Sequence, residues 1–253
     1  MLRICVFLLV GVAASALASG PVRFAASATY PPFVYLNAGH QMVGFDIDLA
    51  NALCEKLRRQ CLFTNNDFDR LLPSLKFNRY DAVISGLDIT EERQEVASFT
   101  RPYLDSSAMA IAVKNHYVSF EQLRGKRVGV ANATTLQSWL QATWPDIVTV
   151  TYDSYQNALL DIRNARLDAI FGETPSMLAM LKANPQLARV GEPIKENRYF
   201  GAGLGIAVRK GDDALLNQLN EALQSLESDG TLQKLKLRWF GDAATLPAES
   251  EMP

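Results

Sequence analysis

The sequence predicts an α/β protein of two lobes, each a mainly parallel sheet flanked by helices, with two crossing strands joining them. Three observations predict it. Strand and helix signals alternate from Val22 onward, the alternation restarts after the apolar run at 108–113, and a second apolar run at 203–208 precedes the last long helix.

The elements follow in order. Residues 22–25 form a short strand, and Tyr30-Pro31-Pro32-Phe33 forces a loop because two prolines remove donors and fix φ. A helix is expected over 45–59, with Asp46 near its N-cap and Ile47, Ala50, Cys54 and Leu57 on one face. A strand at 62–64, a helical stretch at 68–76 and a strand at 82–85 come next. The next helix starts near Thr90, where Glu91 and Glu92 complement the helix dipole. In the second half, residues 120–127 lead into a strand at 128–130. Helices at 136–144 and 155–164 and a strand at 168–171 follow, and after the second apolar run come a helix over 213–227 and a shorter one ending at Trp239. The expected division is a leader at 1–18, one lobe from 19–106 plus 198–241, a second lobe at 107–197, and a flexible tail at 242–253 rich in Ala, Glu and Pro.

The leader is read from Arg3, the apolar run that follows it, and the A-x-A pattern Ala16-Leu17-Ala18. The run is too short to span a bilayer, which needs about 20 apolar residues. Cys5 lies well before the cleavage site, so no lipid anchor is read. Removing the leader removes one base and no acid, taking the net charge from −2 to −3. Nothing resembles the basic stripe of a nucleic-acid binder, and no block of like charge marks a membrane-surface helix. Export leaves Cys54 and Cys61 close together in an oxidising compartment, where a disulfide is the economical reading and two unpaired thiols the other.

Signatures of several enzyme classes are absent. The chain carries no G-x-S-x-G elbow, H-E-x-x-H pair or P-loop. Its two histidines, His40 and His116, sit in a turn and a connector and read as solvated residues, so no metal or cofactor is expected. Gly201, Gly203 and Gly205 run into a strand rather than opening a helix, which indicates a hinge or close packing and not a dinucleotide loop.

A set of motifs carries a resemblance. In order they are Ser27 to Phe33 (SATYPPF), Gly44 to Ala50 (GFDIDLA), Leu72 to Leu75 (LPSL) and Tyr80 to Thr90 (YDAVISGLDIT). Arg93, Gly125 to Val130 (GKRVGV), Arg166 to Ala169 (RLDA) and Tyr199-Phe200-Gly201 complete it. The chain resembles the polar-amino-acid binding proteins of bacterial ABC importers, solute-binding protein family 3, and most closely the lysine/arginine/ornithine, histidine and arginine binders. The resemblance implies a type II periplasmic binding protein, monomeric, which closes over an amino acid and presents it to a membrane permease. It also implies a Cys54–Cys61 disulfide, found in the basic-amino-acid members.

Burying both charges of an amino acid requires an oriented counter-group for each. By the family pattern Arg93 takes the carboxylate, for which a guanidinium fork is suited. Ser85 and the backbone near Gly86 face the ligand's charged ends, Thr134 and Thr135 add donors from the second lobe, and Glu173 faces the ammonium. Tyr30 and Phe68 flank the side chain, offering π-faces to a cation. Three departures from the family pattern stand out. Ser27 replaces the aspartate of lysine and ornithine binders, which favours arginine over lysine, ornithine or histidine. Asp88 replaces a hydroxyl residue, and is expected either to join Glu173 at the ammonium or to cap the helix at Thr90. Glu173 replaces an aspartate, which leaves a second expectation open: a cyclohexadienyl dehydratase-like enzyme on the same fold, with Glu173 as general acid.

Overall fold

The computed structural model describes residues 20–241. The expected leader and tail lie outside the described residues. In the first half the elements are β1 (Val22–Ala26), β2 (Thr29–Tyr30), β3 (Val34–Leu36), β4 (Met42–Val43), α1 (Phe45–Leu57), β5 (Cys61–Asn65), α2 (Leu71–Lys76), β6 (Ala82–Val83), α3 (Glu91–Val96) and β7 (Ala97–Phe99). Then come β8 (Ala108–Val113), β9 (Arg127–Ala131), α4 (Thr135–Thr143), β10 (Val148–Tyr152), α5 (Tyr155–Arg163), β11 (Ala169–Glu173), α6 (Thr174–Ala183), β12 (Leu187–Ile194) and α7 (Asn197–Phe200). The chain closes with β13 (Ala207–Arg209), α8 (Asp213–Ser228) and α9 (Thr231–Phe240).

Two five-stranded sheets result, ordered β5-β1-β6-β13-β7 and β10-β9-β11-β8-β12. Each has the same plan. Three strands run parallel on one side, and two antiparallel ladders complete the other. The strand–helix alternation accounts for the parallel half. The antiparallel half holds β13 and β8, which follow directly from the connections between the lobes, and their neighbours β7 and β12, which follow α3 and α6. A small third sheet, β2-β3-β4, is folded around the double proline.

Each sheet buries both faces. In the first, Phe45, Leu49 and Leu53 of α1 and Leu219 and Leu223 of α8 pack on Phe24, Ile84 and Val208. Leu71 and Leu75 of α2 cover Ala25, Val83 and Ala207 on the other face. In the second, β8 shows the period of two that makes this possible. Ala108, Ala110 and Ala112 face Trp139, Leu140 and Phe171, while Met109 and Ile111 face Tyr155, Ile162 and Met177. Each fully buried Leu, Ile or Phe contributes about 1.5–3 kcal/mol, so two separate cores are well supplied.

Of the two apolar runs, 108–113 lies within its own sheet as β8, whereas 203–208 begins in the connection at Leu204 and enters its sheet only at Ala207. The connections pair through Leu204 N–H to Leu104 O at 2.8 Å and Tyr103 N–H to Leu204 O at 2.9 Å. Close packing there explains the glycines. Gly201 has φ +64°, and a Cβ would stand 1.7 Å from Ile89 O, so no other residue fits without moving backbone.

A disulfide joins Cys54 to Cys61 with Cα atoms 5.8 Å apart, tying the end of α1 to the start of β5 across the left-handed turn at Arg58. Closing so short a loop contributes about 2–3 kcal/mol in the chain-entropy model. Intact mass of the exported protein, alkylated with and without prior reduction, is expected to show two blocked thiols that reduction releases. Two freely alkylated cysteines in unreduced material would remove the bond.

Candidate functional site

Parallel α/β sheets gather ligands beyond the carboxyl ends of their strands. Here both sheets aim those ends at one cleft. Ser27 follows β1, Ser85 and Gly86 follow β6, and Ala131, Tyr152 and Glu173 end β9, β10 and β11. Together they line a cavity of about 250 Å³ between the lobes.

Of the residues picked out from the sequence, Ser27, Tyr30, Phe68, Ser85, Gly86, Thr134 and Glu173 line this cavity. Arg93 and Thr135 line a wider adjoining cleft of about 1020 Å³, and Thr134 borders both spaces. Asp88 borders neither.

Three hydrogen bonds among the described residues span the cleft between the lobes. The backbone N–H of Glu173 donates to the Tyr30 hydroxyl at 3.2 Å, and Ser176 Oγ donates to Pro31 O at 2.8 Å. Thr135 Oγ1 donates to Asp88 Oδ2 at 2.5 Å. Tyr30 also meets Tyr155 of the second lobe, ring centroids 5.3 Å apart.

Asp88 is held differently from both sequence expectations. Its two carboxylate oxygens accept from Ser106 Oγ at 2.6 Å and from Thr135 Oγ1, so it ties the first lobe to the crossing segment and to α4. The cap of α3 is Thr90, whose hydroxyl accepts from Arg93 N–H at 3.2 Å. Burial raises the Asp88 carboxyl above its ordinary range, with Arg93, Ser106 and Thr135 acting the other way.

Arg93 is half-buried, its Nη1 donating to Asp88 O at 3.0 Å and its guanidinium lying 5.6 Å from the centre of the Phe68 ring. It forms no ion pair within 4.0 Å among the described residues, which leaves the fork available to an anion in the cleft. Thr134 caps α4, accepting from Gln137 N–H and donating to Ala131 O at 2.7 Å, so its hydroxyl fixes the wall of the site. Ser85 Oγ accepts from Ser27 N–H at 3.0 Å, locking the ends of β6 and β1 together.

Glu173 is the most unusual group. It is 5% exposed, and its Oε2 is the buried side-chain oxygen among the described residues that has no hydrogen-bond partner. Burial raises its pKa to about 8, offset only in part by a backbone hydrogen bond. Such a carboxyl requires a cation for ionisation at neutral pH.

Several contributors were missed in the sequence. Asp46 was read only as lying near the N-cap of α1, and it does lie in the first turn after Gly44, but it is fully buried. Its carboxylate accepts from Gly86 N–H at 2.7 Å and from the Tyr103 hydroxyl at 3.0 Å, fixing the left-handed Gly86 (φ +56°) at the cavity wall. Desolvation raises its pKa to about 7, with those two hydrogen bonds lowering it. The wall from Tyr152 to Tyr155 was missed because β10 was missed. Its alternating Val-Thr-Val-Thr-Tyr carries the β-branched signal that would have found it.

His40 and His116 are exposed, and no group of three or more metal-binding side chains occurs among the described residues.

Two lobes with cores of their own, paired crossing segments and one cavity at the facing strand ends define a two-lobed periplasmic-binding-protein fold. The chain belongs to the bacterial extracellular solute-binding proteins, family 3, whose model matches residues 22–242. It is 52% identical over 223 residues to ABC transporter arginine-binding protein 1 of Escherichia coli, covering 88% of this chain and 92% of that one. Among solved structures, a Salmonella typhimurium periplasmic binding protein described for its high arginine specificity superposes with a TM-score of 0.84 at 43% identity, covering 88% of this chain and all of that one. An ancestral arginine-binding protein bound to arginine gives a TM-score of 0.81 at 34% identity, with 88% and 100% covered.

Proposed function

We propose that this chain is the periplasmic substrate-capturing subunit of an ABC amino-acid importer, with L-arginine as its ligand. The observation that carries the reading is the buried, unpartnered Glu173 carboxyl in a cavity walled by Tyr30 and Phe68, close to a half-buried arginine without an ion pair. The arginine-binding relatives support the choice of ligand.

In this reading Arg93 takes the ligand's carboxylate, aided by the donors around Thr134 and Thr135, and Glu173 with Ser85 takes the ammonium. Tyr30 and Phe68 enclose the side chain, and Ser27 adds no charge. Asp88 serves closure, through its bond to Thr135. The lobes run over 19–106 with 198–241 and over 107–197, α7 lying at the border where Phe200 packs on the second lobe's core. The second lobe swings onto the first about the paired segments at Leu104 and Leu204, and the closed form is the one a permease complex recognises.

A raised carboxyl pKa would also suit a general acid, the role Glu173 would have in a cyclohexadienyl dehydratase. The arginine-binding relatives favour the counter-charge role, in which Glu173 catalyses nothing.

A thermal-shift screen on protein stripped of co-purified ligand tests the reading. Arginine is expected to raise Tm most, lysine and ornithine less, and acidic amino acids not at all, since a ligand at about 100 times its Kd adds about 2.7 kcal/mol. A larger shift with glutamine, histidine or a compound other than an amino acid would refute the arginine assignment.

A further inference from the structure

Arginine carries two cations, whereas the ammonium and carboxylate contacts above account for one. The cavity's own charge indicates where the second goes. Four carboxylates line it, from Asp67, Asp69, Asp153 and Glu173, and no lysine or arginine does. Glu173 is buried at one side; the other three are exposed at the rim. Asp67 is already engaged with Arg70 at 3.5 Å. Asp69 and Asp153 have no ion pair within 4.0 Å among the described residues.

Their placement is matched across the cleft. Asp69 adjoins Phe68 in the first lobe, and Asp153 adjoins Tyr152, at the end of β10, in the second. Each lobe thus contributes an aromatic residue and a carboxylate residue to the lining of the one cavity. That combination suits a planar guanidinium, whose faces stack on rings while its edges donate to carboxylates. An ammonium is a compact point charge and cannot address two separated carboxylates with a fixed fork.

Resting on the arginine reading above, we infer that Asp69 and Asp153 form a distal cation subsite shared by the two lobes, which the ligand's guanidinium bridges when they close. The subsite supplies the charge that Ser27 does not. It also makes closure depend on the far end of the ligand, so that a neutral side chain of the same shape draws the lobes together less well.

Citrulline provides that shape without the charge. Calorimetry with arginine and with citrulline on the wild-type chain, Asp69→Asn and Asp153→Asn is the test, with melting curves to establish that both variants are folded. Wild type is expected to prefer arginine strongly. Each variant should lose about tenfold in arginine affinity, the scale of a partly exposed charge pair, and little for citrulline, and the double variant should lose most of the preference. Wild-type arginine-to-citrulline ratios in both variants would overturn the subsite while leaving the arginine reading intact. A wild-type chain that bound no arginine would overturn both.

Discussion

Arg93→Lys is expected to weaken arginine binding by about 2–5 kcal/mol, because a single ammonium replaces a fork that makes two parallel charge-assisted bonds. The effect is large because the guanidinium is already held in place. Arg93 is half-buried, anchored to Asp88 O at 3.0 Å and set against Phe68, so its free edge is pre-oriented toward the cleft. Lysine would keep the charge but lose the anchoring, and its flexible stem would have to be ordered on binding. Calorimetry on protein whose melting curve matches wild type separates binding from folding. Unchanged affinity would place Arg93 outside the site.

Glu173→Gln is expected to cost about 2–4 kcal/mol in affinity, and to flatten the dependence of binding on pH. The sign follows from burial. Burial of Glu173 without a cation raises its pKa from the ordinary 4.5 to about 8. A carboxyl raised in this way disfavours the closed form progressively as pH rises from about 4.5 toward 8, since the proton must be kept at increasing cost. A ligand ammonium removes that penalty by stabilising the carboxylate. Ligand and proton therefore compete, and affinity should fall as pH is lowered through the acid range and level off on the alkaline side. Among the described residues no group substitutes for the ligand: Tyr30 accepts from the Glu173 backbone N–H, and Glu173 has no ion pair within 4.0 Å. Wild-type affinity and pH profile in the variant would exclude the counter-charge role. Turnover of prephenate or arogenate by wild type, lost in Glu173→Gln, would make the role catalytic instead.

Much of this architecture was legible because the pattern of buried residues dictates it. α1 and α8 bury apolar stripes, and Pro31-Pro32 and Gly201 leave the backbone few choices. The strands β2, β3, β4, β7, β10 and β12 and the helices α6 and α7 were not read, and of these strands β10 carries the clear alternation. β12 has Pro193 near its end and a register shift between Val190 and Ile194. The first connection was placed a few residues late, at 108–113 instead of near Leu104, because an apolar run looks alike whether it crosses between lobes or sits buried in a sheet.

At the site, residue types that announce chemistry were found readily, and those that act through a partner were not. Asp46 is sixteen residues from Tyr30, the nearest position read as ligand-facing, and only the fold brings it to Gly86, forty positions on. Asp88 illustrates the converse. Its position in the motif suggested the ligand, while its neighbours in space, Ser106 and Thr135, give it a role in holding the lobes together.

The central claim is that an amino acid is captured by closure of two lobes. Small-angle X-ray scattering of ligand-stripped protein, titrated with arginine, tests it most directly. Closure about the segments at Leu104 and Leu204 predicts a saturable fall in radius of gyration over the concentration range in which calorimetry detects binding, with no change in molecular mass. Binding of arginine with an unchanged radius of gyration would contradict capture by closure.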